Sequence, residues 1–176
     1  MLYIFDLDGT LRVTKSGRPC PNYYNDQIIL PGVYNKLQQL NSAYHILAVA
    51  SNQNGVAAGY MTPDMAVSLA HETEQLLGIK FSAMEFSFFN DRSKPNPTMA
   101  MKLLDQFRTG ECVIIGNQYS DFEFAINTNS MSFSRAKFVY AHDFFGWGDN
   151  YVARNYCGYF PREWLCRWQL RKRIKA

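Results

Sequence analysis

Apolar runs of four to six residues punctuate this chain near 2–6, 45–50, 84–89 and 112–115, each short and apolar enough for a buried strand. Between them, apolar positions recur at helical spacing. Val33, Leu37 and Leu40 share one face of a helix that begins after Pro31 and covers 32–41. Thr62-Pro63 is an N-cap and first-turn pair that opens a second helix running to about Leu77, with Gly78 as its stop. A third helix follows Pro97 and turns Met101, Leu104 and Phe107 inward before Gly110. A fourth opens at Ser120 with Asp121 and Glu123 in its first turn, where the helix dipole favours anions. The alternation predicts an α/β, Rossmann-like fold: a mostly parallel sheet with right-handed crossovers and helices on both faces. The segment 12–31, with three prolines and little periodicity, reads as a loop that either covers the rim of the sheet or crosses the surface.

Length and charge divide the chain unevenly. With 176 residues, 47% of them hydrophobic and only 19% charged, one well-buried core is expected rather than disorder. Residues 1–150 carry eleven Lys/Arg against fourteen Asp/Glu, whereas 151–176 carry seven against one. The net of −3 against +6 sets the tail apart electrostatically, so the expected organisation is a domain over 1–150 and a basic aromatic helical extension over 151–176, docked on it. No apolar run reaches membrane-spanning length, and Asp6 and Asp8 interrupt the N-terminal one, so the sequence suggests a soluble, cytoplasmic protein without a membrane partner. Cys20, Cys112, Cys157 and Cys166 form no C-x-x-C pair and stand far from His45, His71 and His142, which argues for reduced thiols and against a zinc site.

Parallel sheets bind ligands at the carboxyl ends of their strands. The segments there are Asp6-Leu7-Asp8-Gly9-Thr10, Ser51-Asn52-Gln53-Asn54-Gly55, Asn90-Asp91-Arg92-Ser93-Lys94-Pro95 and Gly116-Asn117-Gln118-Tyr119-Ser120-Asp121. All four are polar, and together they bring carboxylates, a hydroxyl, glycines and a lysine to one rim. Residues two apart on a strand point the same way, so Asp6 and Asp8 can act on one ligand as nucleophile and proton carrier, while Gly9 permits the turn that follows. Asp-Gly alone also fits an edge strand with an acidic turn; the full D-x-D-G-T string, expected by chance in roughly one chain in a thousand, narrows that reading. Taken singly, Ser51 also reads as a cap, Lys94 as a surface lysine and Asp121 as a carboxylate placed by a helix dipole.

In this order and on these strand ends, the four segments resemble the motifs of the haloacid dehalogenase (HAD) superfamily of phosphatases, over roughly residues 1–146. The resemblance implies a magnesium-dependent phosphomonoester hydrolase. Asp6 would attack the phosphate and form an aspartyl-phosphate, and Asp8 would protonate the leaving alcohol and later accept a proton from water. Ser51, Asn52, Gln53 and Lys94 would bind the phosphorylated substrate, with Ser51 and Lys94 also serving catalysis. Asp6, the Asp8 carbonyl, Asn117 and Asp121 would hold Mg2+. The family usually has aspartate where this chain has Asn117. A neutral amide oxygen is a poorer ligand for a hard cation, so weaker magnesium binding is expected unless Asp121 compensates.

Within the superfamily, Ser51-Asn52-Gln53-Asn54-Gly55 and the short distance to Lys94 resemble the subgroup of histidinol-phosphate, heptose-bisphosphate and polynucleotide 3′-phosphatases, which have no large cap domain. Residues 78–93 contain neither Cys nor His, which disfavours the zinc-loop heptose type. Tyr140-Ala141-His142-Asp143-Phe144-Phe145-Gly146 resembles the aromatic segment closing polynucleotide phosphatase domains, and equally suits a buried terminal strand and turn. In 151–176, Tyr151, Tyr156, Tyr159, Phe160, Trp164 and Trp168 alternate with seven basic residues. That composition fits a nucleic-acid contact, or a helix after Pro161 that docks Trp164, Leu165 and Trp168 on the core; the two can coexist. The leading expectation is a phosphatase acting on nucleic-acid 3′-phosphate ends. The alternative is a weakened or inactive HAD-like binding module that holds nucleic acid or a protein through its tail.

Overall fold

The computed structural model describes residues 1–131 and 134–147. The expected tail element over 151–176 lies outside these residues. Five strands, β1 (Leu2–Phe5), β4 (Ile46–Asn52), β5 (Ala83–Ser87), β6 (Glu111–Gly116) and β7 (Arg135–Tyr140), form a sheet in the order β5-β4-β1-β6-β7. Every pairing within it is parallel. Two three-residue strands, β2 (Arg12–Thr14) and β3 (Gln27–Ile29), pair antiparallel as a separate ribbon. The helices are α1 (Val33–Ser42), α2 (Asn54–Ala57), α3 (Pro63–Leu77), α4 (Thr98–Gln106), α5 (Tyr119–Met131) and α6 (Ala141–Phe145).

Side-chain alternation along the strands builds two cores. Phe5, Leu47, Val49 and Ile115 face one side and pack with Val33, Leu37 and Leu40 of α1 and Ala70 and Leu77 of α3. Leu2, Ile4, Ala48, Ala50, Cys112 and Ile114 face the other and pack with Met99, Ala100, Leu103 and Leu104 of α4 and Phe124 and Ala125 of α5. Helices thus cover both faces, and the central strands are apolar on both sides because neither side meets water.

The predicted ends of α3 are present: Thr62 accepts from the Met65 amide at 3.2 Å, Pro63 is the first helical residue, and Gly78 closes the helix at φ 59°. Three expectations need correction. The segment 12–31 is not irregular throughout, since it contains the β2–β3 ribbon. The buried face of α4 is Met99, Ala100, Leu103 and Leu104 rather than Met101, Leu104 and Phe107; Met101 and Phe107 are only partly buried. The strand 135–140 adds a fifth member to the sheet, and 140–146 forms its end and α6, whose Phe144 and Phe145 rings lie 6.0 and 6.5 Å from Phe5. The insertion between β1 and α1 is the ribbon alone, so no large cap stands over the sheet among the described residues. No helix among these residues is long and apolar enough to cross a membrane.

From β1 the chain moves outward through β4 and β5, then returns to β6 on the other side of β1. Connections therefore diverge on either side of β1, and the crevice at its carboxyl end is where such sheets bind ligands.

Candidate active site

The crevice collects the four polar segments around Asp6, which directly follows β1 and is buried. Its two oxygens face different groups. Oδ1 accepts from Ser51 Oγ at 3.1 Å and from Lys94 Nζ at 2.8 Å. Oδ2 lies 3.4 Å from Thr10 Oγ1, and the same hydroxyl is 3.3 Å from Asn117 Oδ1. Ser51, at the end of β4, accepts in turn from Gln53 Nε2 at 3.0 Å, and that amide nitrogen also reaches Asp8 Oδ2 at 3.1 Å. A continuous hydrogen-bonded chain, Asp8–Gln53–Ser51–Asp6–Lys94–Asp121, therefore links all but two of the residues named from sequence.

The remaining two are Asn52 and Asn117. Asn52 Oδ1 accepts from the Lys94 amide at 2.8 Å and its Nδ2 donates to the Lys94 carbonyl at 3.2 Å, so its side chain fixes the lysine's backbone. Asn117, just past β6, packs against the turn after Asp8. A Cβ on Gly9 would fall 2.3 Å from Asn117 Nδ2, and Gly9 has φ 81°; close approach and backbone conformation both require glycine there. The same closeness recurs at Gly116, where an added Cβ would lie 2.3 Å from the Asp121 carboxyl carbon.

Lys94 is the electrostatic centre. Its side chain is 3% exposed and its ammonium contacts Asp121 Oδ1 at 2.5 Å as well as Asp6. Burial alone would lower its pKa, but the two carboxylates, Asp121 first, outweigh this and hold it above the ordinary lysine range. Asp121 is pushed upward by burial, with Asp6 adding to the effect and Lys94 opposing it. The other Asp121 oxygen accepts from the Gln118 amide at 2.9 Å, at the entry to α5. Asp121 is thus engaged with Lys94 and the start of its own helix.

Could these residues hold a hard cation? Asp6 Oδ2 and Asn117 Oδ1 converge on one hydroxyl, and oxygen is the donor class such ions prefer. Among the described residues no cluster of three His, Cys, Asp or Glu is placed to hold a metal. The fit is to a cation bound by one carboxylate and an amide oxygen, a set of low formal charge. Cys20 approaches the same rim, but burial and then Asp8 push its thiol to about 11, so it stays protonated and offers no competing nucleophile. Cys20 and Cys112 are both free thiols.

Two residues at the site escaped sequence reasoning. Thr10 belongs to the first motif and is fully buried between Asp6 and Asn117. Arg12, also fully buried, donates from Nε to Asp8 Oδ1 at 2.9 Å. The available signal was a charged residue set between Leu11 and Val13 in an otherwise apolar stretch.

With this geometry in place, comparison with known proteins is informative. The sequence model of the family described as polynucleotide kinase 3 phosphatase matches residues 1–122, a span that includes every residue of the site. Among solved structures, the fold is similar to D,D-heptose 1,7-bisphosphate phosphatase from B. bronchiseptica, complexed with magnesium and phosphate, at TM-score 0.64 and 17% identity over 78% of this chain and 91% of that one. It is also similar to a HAD-like phosphatase from Mesorhizobium loti, at TM-score 0.61 and 19% identity over 72% and 68% of the respective chains. A chain of the Pnkp1/Rnl/Hen1 RNA repair complex matches at TM-score 0.51 and 12% identity, over 79% of this chain and 43% of that one.

Proposed function

Because this chain belongs to the polynucleotide kinase 3 phosphatase family, within the HAD-type phosphatases, we propose that it hydrolyses phosphomonoesters with magnesium through an aspartyl-phosphate on Asp6, and that its substrates are 3′-phosphate ends of nucleic acids. The observation that carries the reading is the division of Asp6 between two sets of partners. Oδ1 faces the hydroxyl of Ser51 and the ammonium of Lys94, groups suited to phosphate oxygens. Oδ2 faces the Thr10 hydroxyl, which also meets Asn117 Oδ1, and a cation would sit on that side.

Asp6 attacks phosphorus, and the bond to the leaving alcohol breaks as Asp8 delivers its proton to that oxygen. Asp8 then takes a proton from the water that cleaves the acyl phosphate, which restores Asp6. Ser51, Gln53 and Lys94 hold the transferring group, and Asn52 keeps Lys94 in place through its main chain. Lys94 remains charged throughout, since Asp121 and Asp6 hold its pKa high. A magnesium ion, held by Asp6, the Asp8 carbonyl and Asn117, would supply charge neutralisation between the anionic nucleophile and the anionic phosphate. Asp121 acts on this site through Lys94. Among the described residues a ribbon stands in place of a cap, which suits a polymer end that must enter with its chain trailing outward.

The test is a panel of sugar phosphates, mononucleotides and 3′-phosphorylated oligonucleotides, with and without magnesium. Oligonucleotide 3′-phosphates are expected to turn over fastest and only with the ion. Equal rates on sugar phosphates would overturn the substrate assignment, and inertness on every substrate would favour a binding module. A second outcome concerns the neutral ligand: Asn117→Asp is expected to tighten magnesium binding by about tenfold in a calorimetric titration. No gain would mean that the amide is not what limits the ion.

A further inference from the structure

We infer that Arg12 is a positioning residue for Asp8, an inference that rests on the acid–base role given to Asp8 above. Arg12 opens β2, four residues beyond Asp8, and its side chain is wholly buried. A buried guanidinium is costly unless its donors are matched, so its partners indicate what it does. Nη1 donates to Gln27 Oε1 at 3.0 Å on β3, and to the Leu69 carbonyl at 2.9 Å and Thr73 Oγ1 at 2.8 Å on α3. Nε donates to Asp8 Oδ1 at 2.9 Å. One end of the fork is therefore anchored in the scaffold and the other holds the carboxylate. Nη2, on the same edge as Nε, is buried without a protein hydrogen-bond partner.

The anchor is itself braced. Gln27 Nε2 donates to the Leu69 carbonyl at 2.8 Å and to Glu72, and Thr73 Oγ1 donates to Gln27 Oε1 at 2.7 Å. Glu72 Oε1 accepts from the Asn25 amide at 2.6 Å, which ties the ribbon's connecting segment to α3. Asp8, by contrast, lies past the end of β1 on a turn with no strand partner beyond the single bridge to Arg12. Arg12 on Oδ1 and Gln53 on Oδ2 together fix both its oxygens. A proton donor must stand within hydrogen-bond reach of the leaving oxygen, and a displacement of about 1 Å can cost on the order of a hundredfold.

The test exploits leaving groups. An aryl phosphate expels a phenolate that needs little help from a proton, whereas an alkyl ester such as a nucleoside 3′-phosphate expels an alkoxide that needs one. Arg12→Lys is expected to lower kcat/KM, which reports the step in which the alcohol departs, by roughly 10- to 100-fold on the alkyl ester and far less on the aryl ester. Thr73→Val, which removes one anchor of Nη1, should give the same selectivity at smaller size; if Arg12→Lys does not fold, this variant decides the matter. Uniform loss on both esters, or none, would overturn the inference. Asp8→Asn on the same pair separates the two claims. In kcat/KM, which covers attack and alcohol departure and not the later step with water, a uniform loss there would refute the acid role of Asp8, while selective loss in Asp8→Asn with uniform loss in Arg12→Lys would refute only the role of Arg12.

Discussion

Asp6→Asn is expected to lower turnover by roughly 10⁴-fold or more while leaving the protein folded, because it removes the nucleophile and the one charged ligand proposed for the ion but little of the packing. The amide is isosteric with the carboxylate. Its oxygen can still accept from Ser51 and Lys94 in the place of Oδ1, with the amide nitrogen turned to Thr10, and Lys94 retains Asp121 as a counter-charge at 2.5 Å. What is lost is the oxygen that bonds to phosphorus. Asp6→Glu keeps the charge but moves it by one methylene in a buried crevice, and is expected to cost about a hundredfold or more for reasons of geometry alone. Turnover and thermal melting measured together decide the point: a folded Asp6→Asn protein within tenfold of native activity would mean that water attacks the phosphate directly.

The second large effect is expected at Lys94, on stability as well as rate. Lys94→Met leaves Asp6 and Asp121 facing one another without their shared cation. Removing one partner from a buried ion pair costs about 3–5 kcal/mol, here a fall in melting temperature of about 10 °C. The loss should depend on pH. Burial already raises Asp121, and without the opposing lysine it rises further, so the folded variant binds a proton that the unfolded chain releases until near its ordinary carboxylate range. Its deficit therefore shrinks as pH falls towards the ordinary carboxylate range. Adding Asp121→Asn should restore much of the stability, because no unpaired anion then remains beside Asp6, yet turnover should stay about 10²- to 10³-fold down for want of the charge on the phosphate. A double variant no more stable than Lys94→Met would show that the ion pair is not the source of the loss.

Much of this arrangement was legible in the sequence because its causes are local. The strands at 2–5, 46–52 and 111–116 are short apolar runs buried on both faces, the one at 83–87 is a short, partly buried edge run, and α3 announces itself through Thr62, Pro63 and Gly78. The ribbon was not legible, since three-residue strands are too short for alternation to register. In β7 an arginine and a lysine alternate with buried Ala136 and partly buried Phe138 at the sheet's edge, which blurs the apolar signal. On α4 the real face is shifted because Ala100 and Leu103 meet the sheet directly, a choice set by how the helix lies and not by its own pattern.

The sequence by itself determined which groups stand at the carboxyl ends of four strands, since hydrophobic period and chain order fix those strands and parallel topology brings their ends together. Tertiary structure alone decided how the groups are shared. It gave Asp121 to Lys94, placed Asn52 on the lysine's main chain, set Thr10 between Asp6 and Asn117, and brought Arg12 from β2 against Asp8. Such pairings join residues up to 107 positions apart. They follow from burial, where every charge must find a partner within hydrogen-bond distance, and no local pattern in the chain records which partner that will be.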